Sequence, residues 1–312
     1  MGERVPAITS LDKLLAEAIS GGKVRVAVAA ADDEAALSAL HEAHRVGLAE
    51  ALLFGPEEDI RATWNGLGVP LPAEMVIRDC ATEAEAVKAA VQAVREGAAD
   101  LLLKGKTKTA TLLKAVLDAE AGLRTGRLLS DVFVCEDPRR KGNKLLMITD
   151  GGVTIAPDIN QKVEIILNAV EVAHALGIPR PCVALLSAVE TVVPALPSTV
   201  DAAIITKMWE RGQIKGCVVD GPLALDNAVS EEAARTKGIS SEVAGHADIL
   251  VCPGIEAANM LAKSTTYFAG FRLAHVIVGA KAPVLIPSRA DSADAKLMSV
   301  ALGAIVQRRK GA

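Results

Sequence analysis

Short aliphatic runs alternate with amphipathic helical stretches along most of the chain, and Gly, Pro, Asp or Asn marks the joints between them. The clearest helix, 82–97, opens with a capping box from Thr82 to Glu85 and ends at Gly97. Runs in the first half are nearly continuous in Val, Leu and Ala, as in strands that helices cover on both faces. They lie at 24–31, 51–54, 75–77 and 101–103. The pattern predicts an α/β fold with a parallel sheet.

The alternation changes after Leu129, where two β-rich runs joined by a basic turn predict a hairpin at 132–135 and 144–149. Beyond it we predict a long helix at 161–176, a last helix from near Asp291, and strands at 182–186, 217–219, 249–251 and 284–286. The sequence shows no repeat and no linker rich in Ser, Gly or Pro. We therefore predict two α/β domains that share strands or pack closely, the first of residues 1–136 plus 287–312 and the second of residues 137–286.

The composition excludes several classes of protein. Of 312 residues, 51% are hydrophobic and 23% charged, as in a globular chain, and no apolar run reaches the ~18 residues of a membrane helix. A net charge of -4 and 2% aromatic residues give nucleic acid neither general attraction nor stacking surfaces. The five cysteines form no C-x-x-C pair, which indicates a reducing compartment. We expect a cytoplasmic protein that binds neither membranes nor nucleic acid.

Common nucleotide-binding and catalytic motifs are missing from the sequence. Gly105 to Thr107 ends like a Walker A loop, but Asp100 stands where the first glycine is required. No G-x-G-x-x-G follows a predicted strand, and no G-x-S-x-G is present. His41 and His44 lack the spacing of a zincin helix. We therefore predict no metal site.

The segment APVLIPSRADSADAKL is the strongest candidate for an anion site. It predicts a strand stopped by a proline, then Ser288 and Arg289, then a helix that begins near Asp291 or Ser292. At the carboxyl end of a parallel strand, helix-start amides, hydroxyls and a guanidinium can bind phosphate together. A helix cap by Asp291 or Ser292, with Arg289 on the surface, explains the same residues. The residues alone leave both interpretations open.

Three further groups are candidates for a binding site. Asp220 is predicted at a strand tip, where a carboxylate acts as a base or orders the following turn. Asn259 and Lys263 are one helical turn apart and project from one face. Lys104 and Arg124 belong to the densest positive charge of the chain, which is either a solvated surface or a polyphosphate site.

Long segments of the chain resemble the phosphate acetyl/butyryltransferase family. Residues and spacing agree over VVDGPLALDNAVSEEAARTKGISSEVAGHADILVCPGIEAANMLAK and VIVGAKAPVLIPSRADS. Similarity to the butyryl branch extends upstream to LLLKGKTKTATLLKAVLDAEAGLRTGRLLSDVFV and TDGGVTIAPDINQK. The resemblance implies a two-domain, three-layer α/β/α fold like that of isocitrate and isopropylmalate dehydrogenases. It also implies an active site in the interdomain cleft and a homodimer.

The same resemblance implies a reaction, the reversible transfer of a short acyl group between CoA and inorganic phosphate. CoA is then a substrate, and no cofactor is tightly bound. Ser288 and Arg289 match the Ser-Arg pair of the acetyl branch, whose arginine binds phosphate or acyl phosphate and stabilises developing charge. Substrate contacts are expected from Ser292, Asp220, Asn259, Lys263, Lys104 and Arg124.

The base for the CoA thiol is the point where the chain departs from the acetyl branch. That branch has an aspartate six residues after the arginine, where this chain has Ala295. A thiol of pKa near ~8.5 is mostly protonated at neutral pH, so a base helps the synthesis of acyl-CoA. Asp291 is our first choice, with Asp294 and Asp220 as the other candidates.

Two other functions are alternatives to the acyltransferase. A dehydrogenase of the same fold needs a D-x-x-x-D carboxylate pair, and no two aspartates of this chain are four positions apart. A catalytically silent relative that binds CoA or acyl phosphate, or a partner of an enoyl-CoA hydratase, is the alternative from another class. That alternative predicts tight CoA binding without turnover.

Overall fold

A computed structural model describes residues 7–288 and 290–310, and their packing divides into two compact units. We call Asp12–Arg127 with Ala274–Arg309 the N-terminal unit, and Leu128–Leu273 the central unit. The predicted domain boundary after residue 136 lies inside a hairpin, whose paired strands both belong to the central unit. Main-chain hydrogen bonds hold those two strands in one unit. The units change at 127/128 and at 273/274, whereas the sequence predicted changes at 136/137 and 286/287.

The N-terminal unit contains a six-strand sheet with the order β3-β2-β1-β4-β11-β10. All neighbouring strands are parallel except β10 and β11. Its strands are β1 (Val24–Ala29), β2 (Ala49–Gly55), β3 (Met75–Asp79), β4 (Leu101–Lys104), β10 (Arg272–Val278) and β11 (Val284–Leu285). Its helices are α1 (Leu11–Ser20), α2 (Glu34–Arg45), α3 (Glu57–Gly66), α4 (Glu83–Arg95), α5 (Thr109–Val116) and α11 (Ala293–Arg308).

The central unit contains a five-strand sheet with the order β5-β6-β9-β7-β8, in which only the β5–β6 hairpin is antiparallel. Its strands are β5 (Ser130–Glu136), β6 (Leu145–Thr149), β7 (Cys182–Leu186), β8 (Val218–Leu223) and β9 (Ile249–Val251). Its helices are α6 (Ile159–Ala175), α7 (Pro197–Glu210), α8 (Leu225–Val229), α9 (Glu231–Thr236) and α10 (Ile255–Tyr267). One apolar core packs Phe133, Ile148, Leu186 and Leu250 together.

The local signals in the sequence are confirmed at several element ends. Thr82 caps α4 as predicted by accepting a hydrogen bond from the Glu85 amide. The return bond of the predicted capping box differs, because Glu85 accepts from the Ala81 amide rather than from that of Thr82. Asp158 and Gln161 form a capping box at the start of α6, two residues before the predicted start. None of the helices in the described part of the chain has the length and apolar character needed to span a bilayer.

Candidate active site

Two of the predicted site segments leave the same edge of the N-terminal sheet. Strands β4 and β11 run parallel, with Val284 opposite Leu102 and Leu285 opposite Leu103. Lys104 at the end of β4 and Ser288 just beyond β11 therefore follow the carboxyl ends of adjacent strands. The strand order of this sheet reverses between β1 and β4. Open α/β sheets bind ligands at such a switch point, outside the carboxyl ends of the strands.

The loops that follow β1 and β4 are held tightly against each other at this edge. The Gly105 amide donates to the Ala29 carbonyl oxygen over 2.9 Å, and the Lys106 amide donates to that of Ala30 over 2.7 Å. A Cβ on Gly105 would lie 2.0 Å from the Ala30 carbonyl oxygen, so only glycine fits there. Ala30 itself adopts a positive φ of 57°. The close contact fixes where Lys104 and its loop lie.

Lys104 contributes to the order of its own loop. Its Nζ donates to the carbonyl oxygens of Gly105 and Thr107 over 3.1 and 3.3 Å, and the side chain is half-buried. The next lysine, Lys106, forms an exposed ion pair with Asp32 over 3.0 Å. Lys104 thus has a structural contact in addition to any contact with a ligand.

Ser288 opens a tight turn that Asp291 closes. Asp291 Oδ2 accepts a hydrogen bond from the Ser288 amide over 2.7 Å, and the Asp291 amide donates to the Ser288 carbonyl oxygen over 3.1 Å. Ser288 Oγ accepts a hydrogen bond from the Ala290 amide over 3.3 Å. Arg289, the predicted phosphate ligand, lies outside the described residues.

Asp291, our first choice as thiol base, has its carboxylate turned to protein partners. Burial opposes its ionisation, but His275, the Ser288 amide and Lys296 together outweigh that effect, so the pKa of Asp291 lies below its usual value. A carboxylate with a lowered pKa accepts a proton less readily. The structure therefore favours a role for Asp291 in shaping the turn over a role as base.

Ser292 is the N-cap residue of α11, as one of the two interpretations of this segment requires. Its Oγ accepts a hydrogen bond from the Ala295 amide over 3.1 Å. The helix then runs from Ala293 to Arg308, so its amino end points out at the carboxyl edge of the sheet. A cap and an anion site share this geometry, because both use amides of the first helical turn.

Arg124 lies at the other end of β11. The Leu123 carbonyl oxygen accepts a hydrogen bond from the Lys281 amide, and Thr125 Oγ1 donates to the Gly279 carbonyl oxygen. Residues 279–283 precede β11, whereas Ser288 follows it. The structure therefore does not bring Arg124 together with Lys104 and Ser288, although all three were predicted to contact substrate.

Asp220 differs from the sequence prediction in its position. We predicted a strand that ends at Val219 with Asp220 at its tip, but β8 continues to Leu223 and Asp220 lies opposite Ala184 of β7. Asp220 Oδ1 accepts a hydrogen bond from the Gly221 amide over 2.8 Å. A Cβ on Gly221 would lie 2.6 Å from Leu185 Cβ, so the two strands approach closely there. Glycine at position 221 permits this close approach.

Asn259 and Lys263 of α10 have different surroundings. Asn259 is partly buried, and its Nδ2 donates to the Gly151 carbonyl oxygen over 2.9 Å. Lys263 is exposed to solvent. Asn259 therefore fastens α10 to the loop after β6, a contact that its position in the sequence did not indicate.

The sequence analysis did not predict the hydrogen-bonded loop that follows β6. Its sequence, TDGGVT, belongs to one of the segments that resemble the family. Asp150 is 4% exposed, and its carboxylate accepts hydrogen bonds from four backbone amides, those of Asp131, Gly152, Val153 and Thr154. Burial raises the pKa of Asp150. A Cβ on Gly152 would lie 2.4 Å from Asp131 Oδ2, which explains the glycine.

The sequence analysis also did not predict an ion pair between helices α6 and α7. Lys162 of α6 lies 2.7 Å from Asp201 of α7, beside a cavity of about 220 Å³ that includes the solvent at its mouth. Leu185, Ser198, Ile205 and Cys252 also line this cavity. In the described part of the chain, no cluster of His, Cys, Asp and Glu could hold a metal ion.

Comparison with known proteins places the chain in one family. The family described as "Phosphate acetyl/butaryl transferase" matches residues 76–304. The phosphate acetyltransferase of Thermotoga maritima is 48% identical over 95% of this chain and 99% of its own length. The phosphate butyryltransferase of Clostridium acetobutylicum is 44% identical over 97% of this chain and 100% of its own length.

Solved structures agree with the sequence comparison. A branched-chain phosphotransacylase from Enterococcus faecalis superposes with a TM-score of 0.82 at 35% identity, over 91% of this chain and 99% of its own. A putative 4-hydroxythreonine-4-phosphate dehydrogenase from Salmonella typhimurium shares the fold alone, with a TM-score of 0.58 at 13% identity over 91% of this chain and 99% of its own. The predicted dehydrogenase-like α/β fold is confirmed, and the relatives favour the acyltransferase over the silent binding protein. The chain belongs to the phosphate acetyl/butyryltransferase family.

Proposed function

We propose that this protein transfers a short acyl group reversibly between CoA and inorganic phosphate. The observation that carries the proposal for the site is the Ser288–Asp291 turn, which joins the carboxyl end of β11 to the amino end of α11 beside β4. The amino end of α11, the Ser288 hydroxyl and the neighbouring Arg289 suit a phosphate there. Arginine is always charged and can offer two parallel hydrogen bonds, which suits both the phosphate dianion and a developing oxyanion.

The proposed step is a direct transfer between two bound substrates. A phosphate oxygen attacks the thioester carbonyl carbon, the C–S bond breaks, and the proton of the monohydrogen phosphate passes to the departing CoA thiolate. Acyl phosphate and CoA thiol are the products, so atoms and charge balance without a cofactor. In the reverse direction the thiol must lose its proton, and Asp294 and Asp220 remain the carboxylates proposed to assist, since Asp291 is engaged in the turn.

We also propose a cytoplasmic homodimer that uses CoA as a substrate and holds no tightly bound cofactor. Five free cysteines, three of them buried, support a reducing compartment. The dimer rests on the family resemblance, and sedimentation equilibrium tests it. A mass of one chain across micromolar concentrations would contradict it.

The experiment that tests the activity measures release of CoA thiol from acetyl-, propionyl- and butyryl-CoA, with and without phosphate. We expect release to require phosphate and to fall about 100-fold or more in Arg289→Ala. Arg235→Ala, which removes an exposed arginine of α9, is the matched control and should behave as wild type. Thiol release that does not depend on phosphate, or equal rates in Arg289→Ala and the control, would contradict the proposal.

A further inference from the structure

A group of buried polar side chains lies behind the turn that Ser288 opens. His275 of β10 is 7% exposed, and Lys296 and Ser299 of α11 are 8% and 3% exposed. Polar groups lose favourable hydration when they are buried, so they persist where they have partners. All three belong to the N-terminal unit and lie on two different elements, β10 and α11.

These side chains hold Asp291 from two sides. His275 Nε2 lies 3.7 Å from Asp291 Oδ2, and Lys296 Nζ donates to the Asp291 carbonyl oxygen. The His275 amide donates to Ser299 Oγ over 3.0 Å, which ties β10 to α11 next to this contact. Asp291 is therefore fixed by its carboxylate at β10 and by its main chain at α11.

The Asp291 carboxylate also contacts Ser288. The oxygen that faces His275, Oδ2, is the same atom that accepts the hydrogen bond from the Ser288 amide over 2.7 Å. A line of contacts thus runs from a buried histidine in the sheet, through one carboxylate oxygen, to the backbone of the turn. The histidine is 13 positions before Ser288 in the sequence, so the turn depends on a residue outside its own segment.

We propose that His275 is a positioning residue for the phosphate site. It fixes the Asp291 carboxylate and, through it, the Ser288 backbone in the conformation that receives phosphate. The inference rests on the proposed function, because it takes this turn as the place where phosphate binds. A displacement of about 1 Å in a site can cost about 100-fold in rate, so a residue that touches no substrate can still control binding.

The test compares His275→Leu with His275→Gln, whose side-chain amide can occupy the position of the imidazole Nε2 beside Asp291. We expect His275→Leu to raise the KM for phosphate about 10- to 100-fold while the KM for acyl-CoA stays within about twofold, and His275→Gln to recover most of the loss. His246→Gln, on an exposed histidine of the central unit, is the matched control and should leave both constants unchanged. If His275→Leu does not fold, His275→Asn replaces it, because its shorter amide cannot reach Asp291.

A double-mutant cycle with Asp291→Ala separates positioning from a general structural role. If His275 acts through Asp291, then His275→Leu adds less than about twofold to the phosphate KM of Asp291→Ala. Multiplicative effects, an equal rise of both KM values, or an unchanged phosphate KM in His275→Leu would overturn the inference. Absence of phosphate-dependent turnover in the wild type would instead overturn the proposed function.

Discussion

The ammonium of Lys162 lies 2.7 Å from the carboxylate of Asp201, and 8% of the lysine side chain is exposed. Removing one partner of a buried pair leaves an uncompensated charge, which costs about 3–5 kcal/mol. We expect Asp201→Leu to lower the free energy of unfolding by about 3 kcal/mol. This value is at the lower end of that range because the Asp201 side chain is 26% exposed. Urea denaturation at pH 7 measures the change.

The double variant Lys162→Met with Asp201→Leu should recover much of that loss, because no charge is then left buried. The pair of Lys207 and Glu210, exposed at 62% and 45%, provides the control. Lys207→Ala should cost less than about 1 kcal/mol. A double variant as unstable as Asp201→Leu alone would show that the pair does more than neutralise charge.

Burial of the Cys252 thiol makes the stability of the protein depend on pH. Burial raises the pKa of Cys252 to about 12. In the unfolded chain the thiol ionises near pKa ~8.5, so above that pH the unfolded state binds fewer protons than the folded state. The stabilising contribution is complete below this pH, and stability falls as the pH rises toward 12. We expect Cys252 to account for a loss approaching about 1.4 kcal/mol per pH unit.

Comparison with Cys252→Ala isolates this effect. The variant is less stable at pH 7 because it leaves a small cavity. Urea denaturation between pH 7 and 10 should show the two stabilities converging as the pH rises above about 9. Parallel curves would mean that the thiol ionises as readily in the folded protein as in the unfolded chain.

Asn259 distinguishes a structural contact from a substrate contact. Because its amide donates to the Gly151 carbonyl oxygen, Asn259→Ala should lower the free energy of unfolding by about 1 kcal/mol. We expect the KM for acyl-CoA to stay within about twofold of wild type. Lys263→Ala, one turn further on the same helix, is the control for stability and should cost less than about 0.5 kcal/mol. A tenfold rise in KM without loss of stability would instead support the substrate contact predicted for Asn259.

Local sequence signals predicted much of the fold. The capping residues Thr82 and Ser292, the β5–β6 hairpin and the buried parallel strands depend on contacts within a few residues or on burial of both faces. Strand β10 was not predicted, although its buried residues Val276 to Val278 are all β-branched and favour a strand. The family resemblance supplied the reaction, which no single motif could have given.

The candidate site was harder to predict, because it depends on the path of the chain between motifs. Lys104 and Arg124 stand in one basic region of the sequence, but α5 carries the chain back across the sheet and separates them. Lys162 occupies a polar position of an amphipathic helix, and its burial depends on α7. The contact of Asp291 with His275 joins the turn to strand β10. Each of these outcomes is a tertiary contact with no local signature.

Ser292 allows the cap of α11 and the proposed phosphate site to be tested separately. Ser292→Ala removes the acceptor for the Ala295 amide and should cost about 1 kcal/mol of stability. Ser292→Asp keeps an acceptor at the helix start and should be about as stable as wild type. Its carboxylate, however, would repel a phosphate bound at the same helix end, so we expect the KM for phosphate to rise more than about tenfold.

Ser230→Asp is the matched control, because Ser230 caps α9 in the central unit in the same way, by accepting from the Ala233 amide. That variant should leave both stability and the KM for phosphate near wild type. Urea denaturation and initial rates at varied phosphate measure the two properties. A wild-type phosphate KM in Ser292→Asp would place the phosphate away from the amino end of α11, since a unit charge within about 4 Å of a bound dianion cannot be energetically neutral near a protein surface.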